Sequence, residues 1–279
     1  MYNLYLLGIG MVGKAFLKIF LDQNPQKIQS LNIASSKCLV SNVTKSNISG
    51  ALEKLCNTQS SFDLEALHNT NKYNNIIVDC TASKVVALKY KDFLQDNFSL
   101  FTANKIANTL SQSYYNELKN LSKKSGICYN YETTVGGGLP IISTIQKLVG
   151  AGDKISNFEG LLSGSIGYIL TAYNKTQAMH SCVKRAYQKG LTEPIPWHDL
   201  SGVDVARKLL ILIREAGYEL ALKDINVENL NAHVSKKSQT INEYFKNLEL
   251  HEYFYHSKLI KNKKKSSLSI HCFLGWNAC

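Results

Sequence analysis

Residues 4–20 read LYLLGIGMVGKAFLKIF. Leu4, Tyr5, Leu6 and Leu7 form a short apolar run, and Gly8-Ile9-Gly10-Met11-Val12-Gly13 follows at once. Beyond it Ala15, Phe16, Ile19 and Phe20 recur at helical spacing. The order is strand, glycine turn, helix. Glycines spaced GxGxxG let the backbone approach a pyrophosphate, and the helix start offers unpaired N–H groups and positive dipole charge. The same motif fits a tight turn that holds nothing. Its place between a strand and a helix favours a dinucleotide.

The alternation continues outward. Residues 28–34 read as a second strand, and residues 35–73 are polar, with a helical stretch near 51–56. Ile76-Ile77-Val78-Asp79-Cys80 reads as a buried strand that turns at Thr81-Ala82-Ser83 into a helix over 84–93. A strand at 98–102 ends in Ala103-Asn104-Lys105; a helix over 111–125 and a strand at 127–131 follow. Strands alternating with helices predict a doubly wound, Rossmann-like parallel sheet over residues 1–131. After it comes a glycine-rich loop at 132–140, with Pro140 suited to the first turn of a helix over 141–149. A strand at 157–161 and a turn into a helix over 166–172 come next. The second domain is expected to be α+β and to span 132–256.

Composition narrows the function. Hydrophobic residues make up 44% of the chain and charged residues 19%, which describes a folded globular protein. No apolar run is long enough for a bilayer, and the N-terminus has no basic leader, so a cytoplasmic location is expected. The seven cysteines are widely spaced without a CxxC, which argues against a disulfide framework or a thiolate zinc site. Net charge is +11, and residues 257–279 hold Lys258, Lys261, Lys263, Lys264 and Lys265 with no acid. Such a run is usually solvated surface; nucleic-acid binding is the minor reading.

The second domain carries its ionisable residues at fixed intervals: Glu193, Asp199, Asp204 and Lys208. Asp204 and Lys208 stand four apart and share a helix face, either as a surface ion pair or as a proton-transfer pair. In the first domain, Thr81 and Lys105 end strands, where open parallel sheets bind ligands. The second strand ends Ala34-Ser35-Ser36-Lys37, without the acid that would hold the ribose of NAD. Hydroxyls and a lysine there suit a 2′-phosphate, so NADP (as NADPH) is preferred, with NAD as the alternative.

Together these segments resemble homoserine dehydrogenase, in particular the dehydrogenase portion of bifunctional aspartokinase–homoserine dehydrogenases. The matching pieces are GIGMVG at 8–13, VDCTAS at 78–83, TANKIANT at 102–109, YETTVGGGLP at 131–140, FEGLLSGSIGYI at 158–169 and LTEPIPWHDLSGVDVARKLLILIREAGYEL at 191–220. The resemblance implies NAD(P)H-dependent reduction of aspartate 4-semialdehyde to homoserine, on the route to threonine and methionine. It implies cofactor contacts at Gly8, Ile9, Gly10, Met11, Val12, Gly13, Ala34, Thr81, Lys105 and Gly190. Substrate positions would be Glu193, Asp199 and Asp204, and Lys208 the acid/base, with Lys105 bridging cofactor and substrate. It further implies a monovalent cation, Na+ or K+, on Glu132 and the carbonyls of Val135, Gly137 and Leu139, and a homodimer.

The chain departs from the family in two places. Ile195, Trp197 and His198 replace residues that are commonly charged there. Residues 257–279 read as a basic tail outside the family pattern, so a shortened substrate domain is expected. A nucleotide-binding remnant without turnover is the corresponding alternative.

Overall fold

The computed structural model describes residues 1–69, 74–173, 177–193, 195–227, 229–231 and 240–250, and the backbone of Cys272–Phe273. The lysines of the basic tail lie outside the described residues. The chain divides into two units, Met1–Thr144 and Ile145–Cys279.

Unit 1 is built on strands β1 (Tyr2–Leu7), β2 (Ile28–Ala34), β3 (Leu39–Val40), β4 (Asn74–Asp79), β5 (Phe98–Thr102) and β6 (Tyr129–Asn130). They form one sheet in the order β3-β2-β1-β4-β5-β6, parallel throughout except for the antiparallel edge strand β3. Its helices are α1 (Met11–Gln23), α2 (Ile48–Asn57), α3 (Lys84–Leu88), α4 (Tyr90–Gln95), α5 (Gln112–Ser125) and the start of α6 (Ile141–Gly150).

Side-chain alternation along β1 explains both faces. Leu4 and Leu6 pack with Leu17 of α1 and with Ala51 and Leu55 of α2. Tyr5 and Leu7 point the other way, into a cluster with Tyr90, Phe93, Leu100 and Leu118. From Leu4 to Leu7 the strand is buried on both faces and must be apolar at each position, which is why these four residues show no polar alternation. The doubly wound parallel sheet is therefore as expected.

Register decides where chemistry can occur. Leu7 pairs with Ala34 on one side and Asp79 on the other, and Asp79 pairs with Thr102. The carboxyl ends of four strands thus finish in one row. The chain leaves β1 for β2 on one side and later returns to β4 on the other. The β1/β4 edge is the switch point at which such sheets take ligands.

Unit 2 holds the remainder of α6, then β7 (Asn157–Phe158), α7 (Gly164–Ala172), α8 (Met179–Gln188), α9 (Trp197–Leu200), α10 (Val203–Glu215), α11 (Ile241–Leu250) and β8 (Cys272–Phe273). Its core joins Ile166 and Ile169 of α7, Met179, Cys182 and Val183 of α8, Leu200, Val205, and Tyr244 and Leu248 of α11. Among the described residues its sheet is the antiparallel pair β7–β8. The strand expected at 157–161 covers only its first two residues. No helix among the described residues is long and apolar enough to cross a membrane.

One helix differs from expectation. The helix read over 84–93 is broken at Lys89, which closes α3 and opens α4. The contacts divide the units at 144/145. The loop beyond 131 is bonded back to the first unit: Thr133 Oγ1 donates to the Thr102 carbonyl at 3.2 Å, and Glu132 binds the start of α6.

Candidate active site

The glycine turn owes its shape to close approach. Gly8 has φ +88°, and a Cβ on Gly13 would lie 2.0 Å from the Gly8 carbonyl oxygen. Only hydrogen fits there. Gly8 N–H donates to Ala34 O at 2.9 Å, and Cys80 N–H to Leu7 O at 2.9 Å, so the turn is fixed to both neighbouring strands. Helix α1 begins after Gly10 with no side-chain cap and no acid in its first turn. Among the described residues no side chain bonds to the first N–H groups of this thirteen-residue helix. Met11 and Val12 are exposed beside it. This cradle fits the pyrophosphate of a dinucleotide.

At the end of β2 the hydroxyl of Ser35 accepts from the Lys37 and Cys38 N–H groups, at 3.1 and 3.4 Å, and shapes the turn. The Lys37 ammonium rests on the Cys56 carbonyl at 2.9 Å, at the exposed end of α2. Of the residues read as anion-binding here, Ser35 is committed to the backbone, and Lys37 is anchored by a surface contact that a phosphate can outbid electrostatically.

Between β4 and β5 lies a polar network that the sequence reading missed. The Asp79 carboxylate is fully buried. It accepts from Thr81 N–H at 2.7 Å, Tyr90 O–H at 2.5 Å and the Asn104 amide at 3.2 Å. The Asn104 amide also reaches Thr81 Oγ1 at 3.4 Å and Ser83 O at 3.0 Å, while its oxygen accepts from Ile106 N–H at 3.0 Å. Burial raises the Asp79 carboxyl above the usual carboxylate range, and its hydrogen bonds to Tyr90, Thr81 and Asn104 pull the other way. Burial, with the Asp79 charge beside it, holds the Tyr90 phenol well above its ordinary value, so it remains a donor. Lys105, half-buried, follows Asn104 directly.

In unit 2 the expected residues fall into two linked groups. Lys208 Nζ lies 2.7 Å from Asp204 Oδ2 and donates to the Leu162 carbonyl at 2.7 Å. Its side chain is 17% exposed against 46% for Asp204. A bare surface pair would leave both ends in water; here the ammonium is largely withdrawn and its partner carboxylate is not. Asp199 accepts from Ser165 Oγ at 2.7 Å and from Glu193 N–H at 2.9 Å. Ser165 lies 3.0 Å from Ser163, whose hydroxyl caps α7. The 162–165 turn therefore joins the lysine group to the Asp199 group. Glu193, exposed, is carried on the loop that Asp199 holds. Gly190, at φ +68°, ends α8 in the left-handed conformation, and Leu191 N–H closes back on Ala186 O.

Two of the four groups expected around a monovalent cation, Glu132 and the Leu139 carbonyl, carry hydrogen bonds within the loop and helix start. Glu132 accepts from Ile142 N–H at 2.8 Å and from Ser143 N–H at 3.0 Å, one on each oxygen. The Leu139 carbonyl accepts from Ile141 N–H at 2.9 Å. As placed, Glu132 caps the start of α6. Among the described residues no group of three or more His, Cys, Asp or Glu could hold a metal ion.

Comparison with known proteins bears on the same two regions. Residues 8–132 match the family model described as homoserine dehydrogenase, NAD binding domain. Residues 140–268 match the one described as homoserine dehydrogenase. The second match runs into the stretch that the sequence reading set apart at 257. A bifunctional aspartokinase/homoserine dehydrogenase of Buchnera aphidicola is 37% identical across 96% of this chain. The match takes in 34% of that relative, so the chain spans about a third of its length. A homoserine dehydrogenase from Thermoplasma acidophilum superposes with a TM-score of 0.67 at 26% identity, covering 87% of this chain and 76% of its own. A hyperthermophilic archaeal homoserine dehydrogenase solved in complex with NADPH superposes with a TM-score of 0.66 at 24% identity, covering 81% and 75%.

Proposed function

Because the chain belongs to the homoserine dehydrogenase family, we propose that it reduces L-aspartate 4-semialdehyde to L-homoserine, reversibly, with NADPH as the preferred cofactor. The observation that carries the reading is the sheltered Lys208 ammonium, fixed by Asp204 and the Leu162 carbonyl at 2.7 Å each. When bound, the cofactor supplies a hydride to the aldehyde carbon. The chain supplies the rest. Charge develops on the aldehyde oxygen, and an ammonium placed there stabilises it and gives up a proton. Two of the three N–H groups of Lys208 are held by the chain, and the third is the donor offered to substrate. Asp204 orients the amine. Glu193 presents a carboxylate for the α-ammonium of the amino-acid substrate. Asp199 acts behind it, fixing the Glu193 loop through the backbone.

The α1 start and the 8–13 turn would hold the pyrophosphate, Ala34 the adenosine ribose, and Ser36 with Lys37 the 2′-phosphate. Thr81 and Lys105 serve the nicotinamide end. Glu132 is read as a structural cap. Assembly as a homodimer rests on the family resemblance and is checked by sedimentation.

The test follows NADPH consumption with the semialdehyde. Lys208→Ala should lower kcat by about 10²- to 10⁴-fold, the usual share of one acid/base group, while NADPH binding persists. Near-normal turnover by that variant would remove Lys208 from its role. NADPH binding without any turnover in the unaltered chain would instead favour the remnant reading.

A further inference from the structure

We propose that Asp79 is a positioning residue that, through Asn104, locks the two strand-end turns carrying Thr81 and Lys105 to one another. The proposal rests on the nucleotide site described above and deepens it. Neither Asp79 nor Asn104 reaches that site's surface: Asp79 is 0% exposed and Asn104 2%. What they touch is the backbone and side chains that form it.

The geometry assigns each contact a task. Asp79 Oδ1 takes Thr81 N–H, fixing the first residue after the β4 turn. Asp79 Oδ2 takes the Asn104 amide, and the same amide reaches across to Thr81 Oγ1 and Ser83 O. The other face of Asn104 accepts from Ile106 N–H, so its side chain bridges the peptide on either side of Lys105. Asn104 N–H closes on Thr102 Oγ1 at 2.8 Å. Lys105 therefore stands on a turn whose two flanks are tied to one buried carboxylate. Thr81 in turn presses on the glycine turn: a Cβ on Gly8 would meet Thr81 Cγ2 at 2.7 Å.

A core needing only to be filled would not hold a carboxylate here. A buried carboxylate is costly unless each lone pair finds a donor. This one is retained with donors from β4's own turn, from α4 and from β5's turn, three elements whose relative placement defines one end of the cofactor site. An amide at position 79 would be of equal size. Its single oxygen cannot serve both sides: its NH2 would face either the Thr81 N–H or the Asn104 amide, each itself a donor, and one tie of the lock would open.

The test compares two ligands by direct binding. NADPH spans the whole cofactor site. Adenosine 2′,5′-bisphosphate uses the α1 start and the end of β2, and lacks the nicotinamide half. Asp79→Asn should weaken NADPH about tenfold, the order expected when one charge-assisted hydrogen bond is lost. It should leave the bisphosphate within about twofold and retain a cooperative unfolding transition. A purely structural role would weaken both ligands alike or neither; either outcome overturns the proposal. Should Asp79→Asn fail to fold, Asn104→Ala, which removes the bridge and leaves the carboxylate its other two donors, is read by the same pair of ligands and decides. If the unaltered chain binds neither ligand, the nucleotide reading itself falls, and the lock with it.

Discussion

At residues 8–13 the chain turns through glycines into α1 and leaves the first N–H groups without a side-chain cap. At residues 136–138 it turns through glycines into α6, and Glu132 fills the helix start with both carboxylate oxygens. The two segments look alike as sequence: glycines, then an apolar helix. Their difference lies in who supplies the negative charge that a helix N-terminus attracts. The second turn brings its own anion from four residues upstream. The first brings none and is open to one from outside. An uncapped start beside a strand-end row is thus a stronger pointer to a phosphate than the glycines themselves.

The glycines also differ in what they avoid. A Cβ at Gly13 would strike a backbone oxygen at 2.0 Å, whereas one at Gly136 would strike the Cδ1 of Ile141 at 2.2 Å. A side-chain tip can move and a fixed carbonyl cannot. The largest effect is therefore expected for Gly13→Ala. It should displace the turn, lower NADPH affinity on the order of a hundredfold and cost roughly 1–3 kcal/mol in overpacking. Isothermal titration with a parallel denaturant melt checks both. Unchanged affinity would mean that the close approach at Gly8 is not the cofactor's seat.

The closed turn gives a smaller and different response. Glu132→Ala should cost about 1–2 kcal/mol, as for a lost helix cap, and leave NADPH affinity unchanged. Exchanging Na+ for K+ should not move the unfolding midpoint of either protein. A midpoint that shifts with the alkali ion in the unaltered chain, and no longer does so in Glu132→Ala, would restore Glu132 to the ion site that the family resemblance implies and would erase the contrast between the turns.

The sequence shows the open turn well because it is local. The change from a continuous apolar run at 4–7 to helical spacing beyond Gly13 is confined to seventeen residues. The Asp204–Lys208 pair is legible for the same reason, being one turn of α10. What escaped depends on partners far along the chain. Asp79 ends an apolar strand and looks like any polar residue there; its bond to Asn104 crosses twenty-five residues. Ser165 meets Asp199 across thirty-four. Thr133 and Glu132 fasten the loop after 131 back to unit 1, and a shift of composition carries no sign of that. The break at Lys89 was invisible because α3 and α4 abut without an intervening glycine or proline.

Cys80 offers the smallest and most selective probe of the open turn. It lies beneath it: a Cβ on Gly13 would stand 3.5 Å from Cys80 Cβ. Burial, with a lesser contribution from the Asp79 charge, pushes its thiol up to about 11. Only about one thiol in a thousand is then ionised at pH 8, and the thiolate is the form that alkylates. Iodoacetamide should therefore label exposed Cys56 well before Cys80. Labelling of Cys80 should rise about tenfold per pH unit up to the neighbourhood of its pKa. Asp79→Asn should quicken it modestly, since that removes the charge and leaves the burial. Labelling of Cys80 as fast as Cys56 at pH 8, tracked by peptide mass spectrometry, would mean that water reaches the floor of the 8–13 turn. A wet floor would weaken the electrostatic attraction between the α1 start and a bound pyrophosphate, and the two glycine turns would then differ in capping but not in capacity to bind.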